Sequence, residues 1–96
     1  MIRVPISLET AFTVPDDVVF RDLSGEAVLL NLDSGIYFGL NPVGTRAWQL
    51  MIEHGRLDRV FERLLREYDV PADTLRDDLL DLFEQLSTHG LVRSQA

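Results

Sequence analysis

The sequence predicts an α+β domain in which a three-stranded antiparallel β-meander precedes three amphipathic α-helices. Up to residue 40, short runs rich in β-branched, aromatic and leucine residues alternate with glycine-containing turns, as in antiparallel hairpins. After residue 40, apolar residues recur with the 3.6-residue period of helices that bury one face. A length of 96 residues fits one hydrophobic core and leaves no room for a second.

Three runs form the predicted meander: VVFRDL at 18–23, AVLLNL at 27–32 and IYFGL at 36–40. The connections at 24–26 and 33–35 each contain a glycine, which readily adopts the positive φ of tight turns. Residues 1–17 precede the meander and contain RVPISL and AFTV, which predict an extra strand or an arm. Pro5 and Pro15 argue against a long central strand there.

The three predicted helices each carry an apolar stripe. The first has Asn41 as its N-cap and Pro42 as its first residue, and it ends near His54. The second lies in LDRVFERLLREYDV and stops before Pro71, and the third covers about residues 73–89. The stripes are Val43, Ala47, Trp48, Leu50, Met51 and Ile52, then Leu57, Val60, Phe61, Leu64, Leu65 and Tyr68, then Leu75, Leu79, Leu82, Phe83 and Leu86.

Composition and motifs exclude several kinds of function. The chain has no cysteine, which rules out disulfides, thiolate metal sites and cysteine nucleophiles. It also lacks G-x-S-x-G, P-loop and G-x-G-x-x-G motifs. His54 and His89 each precede a glycine, which predicts helix C-termini rather than metal ligands. We therefore expect a protein that is not an enzyme and has no catalytic residue, metal or cofactor.

The charge balance bears on partners and location. A formal net charge of -7 disfavours nucleic acid, because binding to phosphates depends on Lys and Arg, and it favours a basic partner. No run approaches the ~20 apolar residues of a membrane span. The first residues lack the apolar core and cleavage site of a secretory signal. We expect a cytoplasmic protein that binds neither nucleic acid nor membranes.

The strand-to-helix junction YFGLNPVG is the most specific stretch of the chain. Together with GRLDRVFERLLREYDVP and DLLDLFEQLSTHGLV, it resembles the PqqD family, the RiPP precursor recognition elements, over residues 18–92. Within that family the sequence is most similar to the free-standing leader-binding proteins of lasso peptide biosynthesis. The resemblance implies a winged-helix-like peptide-recognition domain at 18–93, preceded by the arm at 1–17 and followed by a tail at 94–96.

The resemblance also implies a function. The leader of a ribosomally synthesised precursor would add as a strand to the third strand, with its side chains in a groove beside the third helix. The protein would present it to a cysteine-protease-like leader peptidase, with a macrolactam synthetase acting downstream. The binding strand that the resemblance implies consists of Ile36, Tyr37, Phe38, Gly39 and Leu40, and the helix is the third, at about 73–89. From the charges and the apolar stripe of that helix, we expect the contributing residues to be Asp78, Asp81, Leu82 and Phe83.

Physical reasoning about the meander agrees with this interpretation. Its third strand keeps one row of free N–H and C=O groups, on which an extended peptide can pair. Alternation along that strand predicts that Phe38 and Leu40 point into the core. Asp78 and Asp81 are the expected members of a negative rim that steers a basic leader.

Other interpretations stay open at this stage. Within the family, the protein could be a peptide chaperone that delivers a precursor to a radical-SAM enzyme. From a different class, a winged-helix DNA-binding regulator would need Arg or Lys on its recognition helix. Between 73 and 85 five acids accompany the single base Arg76, although the second helix carries Arg59, Arg63 and Arg66. A third alternative is a dimerisation module whose free edge pairs with its own copy.

Overall fold

The structure is a computed structural model that describes residues 6–95. Its elements are β1 (Ala11–Thr13), β2 (Val18–Leu23), β3 (Glu26–Asn31), β4 (Tyr37–Gly39), α1 (Pro42–His54), α2 (Leu57–Glu67), α3 (Ala72–Thr88) and β5 (Arg93–Gln95). β2, β3 and β4 form an antiparallel sheet in that order, and β1 pairs with β5 in a second sheet. The predicted α+β architecture, a meander followed by three helices, is confirmed.

Both turns of the meander contain the predicted glycine, but their bounds differ from the predicted 24–26 and 33–35. Glu26 already begins β3, and the second connection runs from 32 to 36. Ser24 and Gly25 connect β2 to β3 with φ angles of 60° and 91°, as a two-residue hairpin loop with positive φ at both positions requires. The Asp22 carboxylate accepts a hydrogen bond of 2.8 Å from the Gly25 N–H. The register that follows pairs Leu23 with Glu26 at the loop.

The helix termini also follow the sequence signals. The Asn41 side chain accepts the Gly44 N–H at 2.7 Å, and Pro42 is the first residue of α1. Gly55 ends α1 at a φ of 81° and donates to the Met51 carbonyl. Both histidines lie at helix C-termini as predicted, since His54 ends α1 and His89 caps α3. α2 ends at Glu67, before the predicted boundary at Val70–Pro71.

All three helices contribute to one core against the inner face of the sheet. The largest fully buried side chains are Leu29, Leu50, Met51, Leu57, Val60, Leu64, Phe83, Leu86 and Leu91. Trp48 is buried as expected and stacks on Phe20 at 6.2 Å between ring centroids. Two members of the predicted α1 stripe are instead exposed, Val43 by 38% and Ile52 by 58%. The stripe is wider than the surface that the short strands and the other helices cover.

The amino-terminal residues from 11 to 13 pair with the other end of the chain. In β1 and β5, Phe12 faces Ser94 across the ladder, and the Phe12 ring packs against Phe83 at 5.1 Å. The Phe12 N–H also donates to the Gly55 carbonyl at 2.7 Å, which joins β1 to the connection between α1 and α2. β1 therefore lies away from β4. Of the predicted arm at 1–17, residues 1–5 lie outside the described residues, as does residue 96 of the predicted tail.

No helix within residues 6–95 combines the length and apolar character needed to cross a membrane. In the same part of the chain, no group of three or more His, Cys, Asp or Glu side chains is arranged to hold a metal ion.

Candidate peptide-binding edge and groove

β4 is an edge strand with an unpaired outer side. The Leu40 N–H donates to the Ala27 carbonyl of β3 at 2.8 Å. In an antiparallel strand the backbone groups of successive residues point to opposite sides, so the backbone of Phe38, like that of Leu40, faces β3. Tyr37 and Gly39 turn their N–H and C=O groups outward. No other segment among the described residues pairs with this outer side. The edge thus offers two donors and two acceptors to an extended chain.

The side chains of this segment divide between the two faces of the sheet. Leu40 is buried, and Phe38 is half-buried against the core and lies 5.7 Å from the His89 ring, so the prediction that both point inward is confirmed. Tyr37 is 74% exposed on the outer face. Apart from the neighbours of Gly39 in the chain, no heavy atom of the described residues lies within 4 Å of a Cβ placed on Gly39, so this face also has free space. Ile36 precedes β4 and is exposed.

A groove of about 470 Å³ lies beside the edge, bounded by β4, the start of α1 and α3. Its floor consists of apolar core side chains, namely Leu40, Ala47, Leu64, Leu75 and Leu79. The more exposed side chains Val43, Val70 and Leu82 form its apolar walls. Recognition by strand addition requires two features, namely unpaired backbone groups on an edge strand and pockets for side chains beside them. Both are present here.

The groove contains most of the residues predicted to bind a peptide. Phe38, Gly39, Leu40, Asp78, Asp81 and Leu82 line it. Ile36 and Tyr37 belong to the same edge without lining the groove, whereas Phe83 is fully buried and packs on Phe12 beneath the surface. Of these two neighbours on α3, Leu82 lines the groove, while Phe83 belongs to the core face of the helix.

Sequence reasoning missed most of the residues that line the groove. The residues it did not select are Asn41, Val43, Gly44, Ala47, Leu64, Val70, Thr74, Leu75, Leu79 and Gln85. Val43 was assigned to the buried stripe of α1 because its spacing is that of a core residue. Its position in the sequence was a usable signal for the groove. Val43 lies in the first turn of α1, two residues after Asn41, and this turn directly follows the predicted edge strand.

The rim of the groove is acidic. Asp78 and Asp81 are exposed on α3, and neither forms an ion pair with an Arg or Lys side chain of the described chain. Asp81 accepts a hydrogen bond of 2.9 Å from Gln85, which also lines the groove. The single base of the helix, Arg76, lies 3.6 Å from Asp77. A cationic ligand side chain would therefore find unneutralised carboxylates at the entrance.

Comparisons with known proteins agree with this geometry. Residues 26–92, which include β3, β4 and all three helices, match the family profile of coenzyme PQQ synthesis protein D (PqqD). The chain belongs to the PqqD family. No relative is found among curated protein sequences. The family resemblance predicted from the junction YFGLNPVG is confirmed.

Solved structures share the fold of this PqqD-family chain. TbiB1, solved in complex with the TbiA(beta) leader peptide, is 36% identical, with a TM-score of 0.80 over 86% of this chain and 96% of TbiB1. A lasso peptide synthetase B1 complexed with the leader peptide is 23% identical, with a TM-score of 0.77 over 86% of this chain and 98% of that protein. The second similarity shows the fold, and the first adds a closer sequence relationship.

Proposed function

We propose that this PqqD-family chain binds the leader peptide of a ribosomally synthesised precursor as an added strand on β4, within lasso peptide biosynthesis. The observation that carries the proposal is the unpaired edge at Tyr37 and Gly39 beside an apolar groove. The 36% sequence identity between this chain and TbiB1, which was solved with a leader peptide, supports the same ligand class.

The energetics require both the edge and the groove. Each net backbone hydrogen bond contributes only ~0.5 to 1.5 kcal/mol, and ordering a flexible leader costs ~2 to 5 kcal/mol. Four bonds to the edge would thus give weak binding without sequence preference. Burial of one or two apolar leader side chains in the groove, at ~1.5 to 3 kcal/mol each, brings the affinity toward the micromolar range.

Strand geometry determines which leader side chains the groove reads. A residue placed directly opposite Phe38 projects its side chain to the face that carries Phe38, where the groove lies. The residues opposite Tyr37 and Gly39 project to the outer face instead. Alternate leader residues therefore enter the groove, and the free space around Gly39 accommodates the others.

We further propose that the domain presents the bound leader to a cysteine-protease-like leader peptidase in the cytoplasm, and that a macrolactam synthetase acts downstream. The chain itself supplies binding and no cysteine nucleophile. Cleavage of the precursor by the purified peptidase, with and without this chain, tests the proposal. The expected result is faster cleavage in its presence, and equal rates would contradict the presenting role.

Proline substitution tests the docking edge directly. Tyr37→Pro removes an outward N–H, so it should weaken binding of a labelled leader at least about tenfold while leaving a folded protein, because edge strands tolerate proline. Asp22→Pro, on the opposite edge strand, is the matched control and should leave leader affinity unchanged. Titration by fluorescence anisotropy, with circular dichroism to verify folding, measures both. An unchanged affinity in folded Tyr37→Pro would remove β4 as the docking strand.

A further inference from the structure

The sheet has a second unpaired edge, on β2. Because the Ala27 carbonyl faces β4, the backbone of its neighbour Val28 faces β2, where it pairs with Arg21. Alternation along β2 then turns the N–H and C=O groups of Phe20 and Asp22 outward. Within residues 6–95 no segment pairs with these groups.

A shallow apolar hollow of about 400 Å³ adjoins this second edge. It is lined by Val14, Val18, Phe20, Trp48, Gln49 and Ile52, of which only Gln49 is polar. Phe20 is partly exposed while its ring stacks on Trp48 with an interplanar angle of 8°. Ile52 is 58% exposed at the margin. The β2 strand at the opposite edge of the sheet thus has the same combination of unpaired backbone groups and exposed apolar side chains as β4.

The surroundings of this hollow are acidic. Asp16 and Asp17 connect two of its lining residues, and Asp22 lies on the edge itself; all three are exposed. None of them forms an ion pair with a basic side chain in the described part of the chain. The one arginine on β2 is Arg21, whose side chain points to the other face of the sheet by strand alternation. The edge therefore suits an apolar strand that carries Arg or Lys.

We propose that β2 is a second docking edge, which pairs with an edge strand of the leader peptidase that carries apolar and basic side chains. This inference rests on the proposed function, since it assigns the surface by which that partner is held. The leader and the peptidase strand would then be the two outermost strands of one five-stranded sheet. With ~4.8 Å between strands, they lie about 19 Å apart, so the domain fixes the orientation of the leader relative to the enzyme.

A second copy of this chain is a poorer occupant of the β2 edge. Antiparallel pairing of β2 with β2 would bring Asp16, Asp17 and Asp22 of both copies together, and each copy has a formal net charge of -7. Like charges on facing strands destabilise the pairing, and the overall repulsion opposes association. Charge complementarity therefore favours a basic strand of a different protein.

The experiment titrates the purified leader peptidase encoded with this chain against two variants at one position. Asp22→Ala loses the carboxylate bond to the Gly25 N–H and keeps the outward backbone N–H, whereas Asp22→Pro loses both. We expect Asp22→Pro to bind the peptidase at least tenfold more weakly than Asp22→Ala. Leader affinity, measured in parallel by anisotropy, should change less than twofold.

A second pair of variants tests the hollow. Ile52→Glu places a charge at its margin, whereas Leu23→Glu changes an equally exposed residue, also 58%, on the outer face of β2. Ile52→Glu should weaken peptidase binding at least tenfold, and Leu23→Glu should not.

The outcomes separate this inference from the proposed function. Suppose that the wild-type chain binds the leader. The β2 inference alone is then overturned if Asp22→Pro and Ile52→Glu retain full peptidase affinity. It is also overturned if the wild-type chain binds no peptidase. If the wild-type chain fails to bind the leader, the proposed function fails. A dimer in sedimentation that Asp22→Pro dissociates would assign the β2 edge to a second copy and also overturn the inference.

Discussion

At the scale of single residues, Asn31 connects the sheet to the groove. Its side-chain oxygen accepts the N–H groups of Asp33 at 2.9 Å and Ser34 at 3.2 Å, which shapes the turn that leads to β4. Its side-chain nitrogen donates to the Gly90 carbonyl just after α3 at 3.0 Å. One nearly buried amide therefore satisfies three backbone groups, and it connects the turn before β4 to the end of α3, the helix on the other side of the groove.

Thr45 performs a related role where β4 becomes α1. Its buried hydroxyl accepts the Ala27 N–H at 2.9 Å and lies 3.4 Å from the Leu40 carbonyl, so it bridges the last pair of the β3–β4 ladder. Thr45→Val removes this bridge and leaves two buried backbone groups unsatisfied. We expect a loss of about 1 to 3 kcal/mol in the free energy of unfolding. Thr45→Ser keeps the hydroxyl and should lose less in chemical denaturation, and an equal loss in both would contradict the bridging role.

Val43 allows a test of the groove itself. Val43→Glu introduces a charge into an apolar wall of the groove. This should weaken leader binding at least about tenfold, because an apolar leader side chain can enter the groove only if the new carboxylate loses its water. Ile52→Glu, on another side of the same helix, is the control and should leave leader affinity intact. Titration calorimetry with thermal melting measures both variants. Wild-type affinity in Val43→Glu would show that leader side chains do not use this groove.

At the scale of elements, α3 serves the core and the site with different faces. Leu75, Leu79, Phe83 and Leu86 are buried at the spacing of one helical face. Beside that face, Asp78 and Asp81 reach the groove, while Asp73 and Asp77 are exposed elsewhere on the helix. Position on the helix, rather than the number of acids, thus determines which charges a ligand meets.

The acids of α3 therefore predict a position-dependent effect of salt. Asp78→Asn with Asp81→Asn should reduce the salt dependence of leader binding, because exposed charges steer association and are screened by salt. Asp73→Asn with Asp77→Asn changes the net charge equally without altering the groove rim, and it should keep most of the wild-type slope. Affinities measured from low to high ionic strength give the slopes. Identical slopes in the two double variants would contradict the acidic rim.

At the scale of the whole molecule, two long-range connections hold the elements together. β1 and β5 join the ends of the described chain, and the Gln95 side chain donates to Thr13, 82 residues away, at 3.0 Å. Arg46 of α1 forms two hydrogen bonds of 2.8 Å with Glu67 of α2, which also accepts from Arg63 at 2.9 Å. Neither connection covers the outer side of β4.

The ion pairs at Glu67 predict how stability depends on pH. The hydrogen bond from Arg46, with help from Arg63, lowers the pKa of Glu67 from 4.5 to about 2. A folded-state pKa below the unfolded value stabilises the protein above about pH 4.5, and this contribution is lost as pH falls toward 2. Glu67→Gln should cost up to about 1 kcal/mol at pH 7, since surface ion pairs are screened.

Urea denaturation at several pH values measures this effect. The difference in stability between the wild type and Glu67→Gln should shrink as the pH falls below 4.5. Glu62→Gln, an exposed acid on the same helix, controls for the change in net charge. A difference that stays constant down to pH 2 would contradict the ionic role of Glu67.

Local signals were sufficient to predict most elements. The glycine-containing turn after β2, the Asn41-Pro42 helix start and the glycines after both histidines depend on backbone preferences of neighbouring residues, so they act before any tertiary contact forms. The edge strand follows from the same signals, because a meander of three strands leaves its third strand unpaired on one side. The family resemblance added the ligand class and the groove beside the third helix.

The sequence by itself thus determined the order and type of most elements and the place of β4 at the edge of the meander, because period, turns and caps are properties of adjacent residues. Only the tertiary structure decided that β1 pairs with β5, that Leu82 rather than Phe83 faces the groove, and that Val43 and Ile52 stay exposed. These outcomes depend on which surfaces meet across the fold. Helical periodicity gives the direction of a side chain, and it carries no information about whether another element covers it.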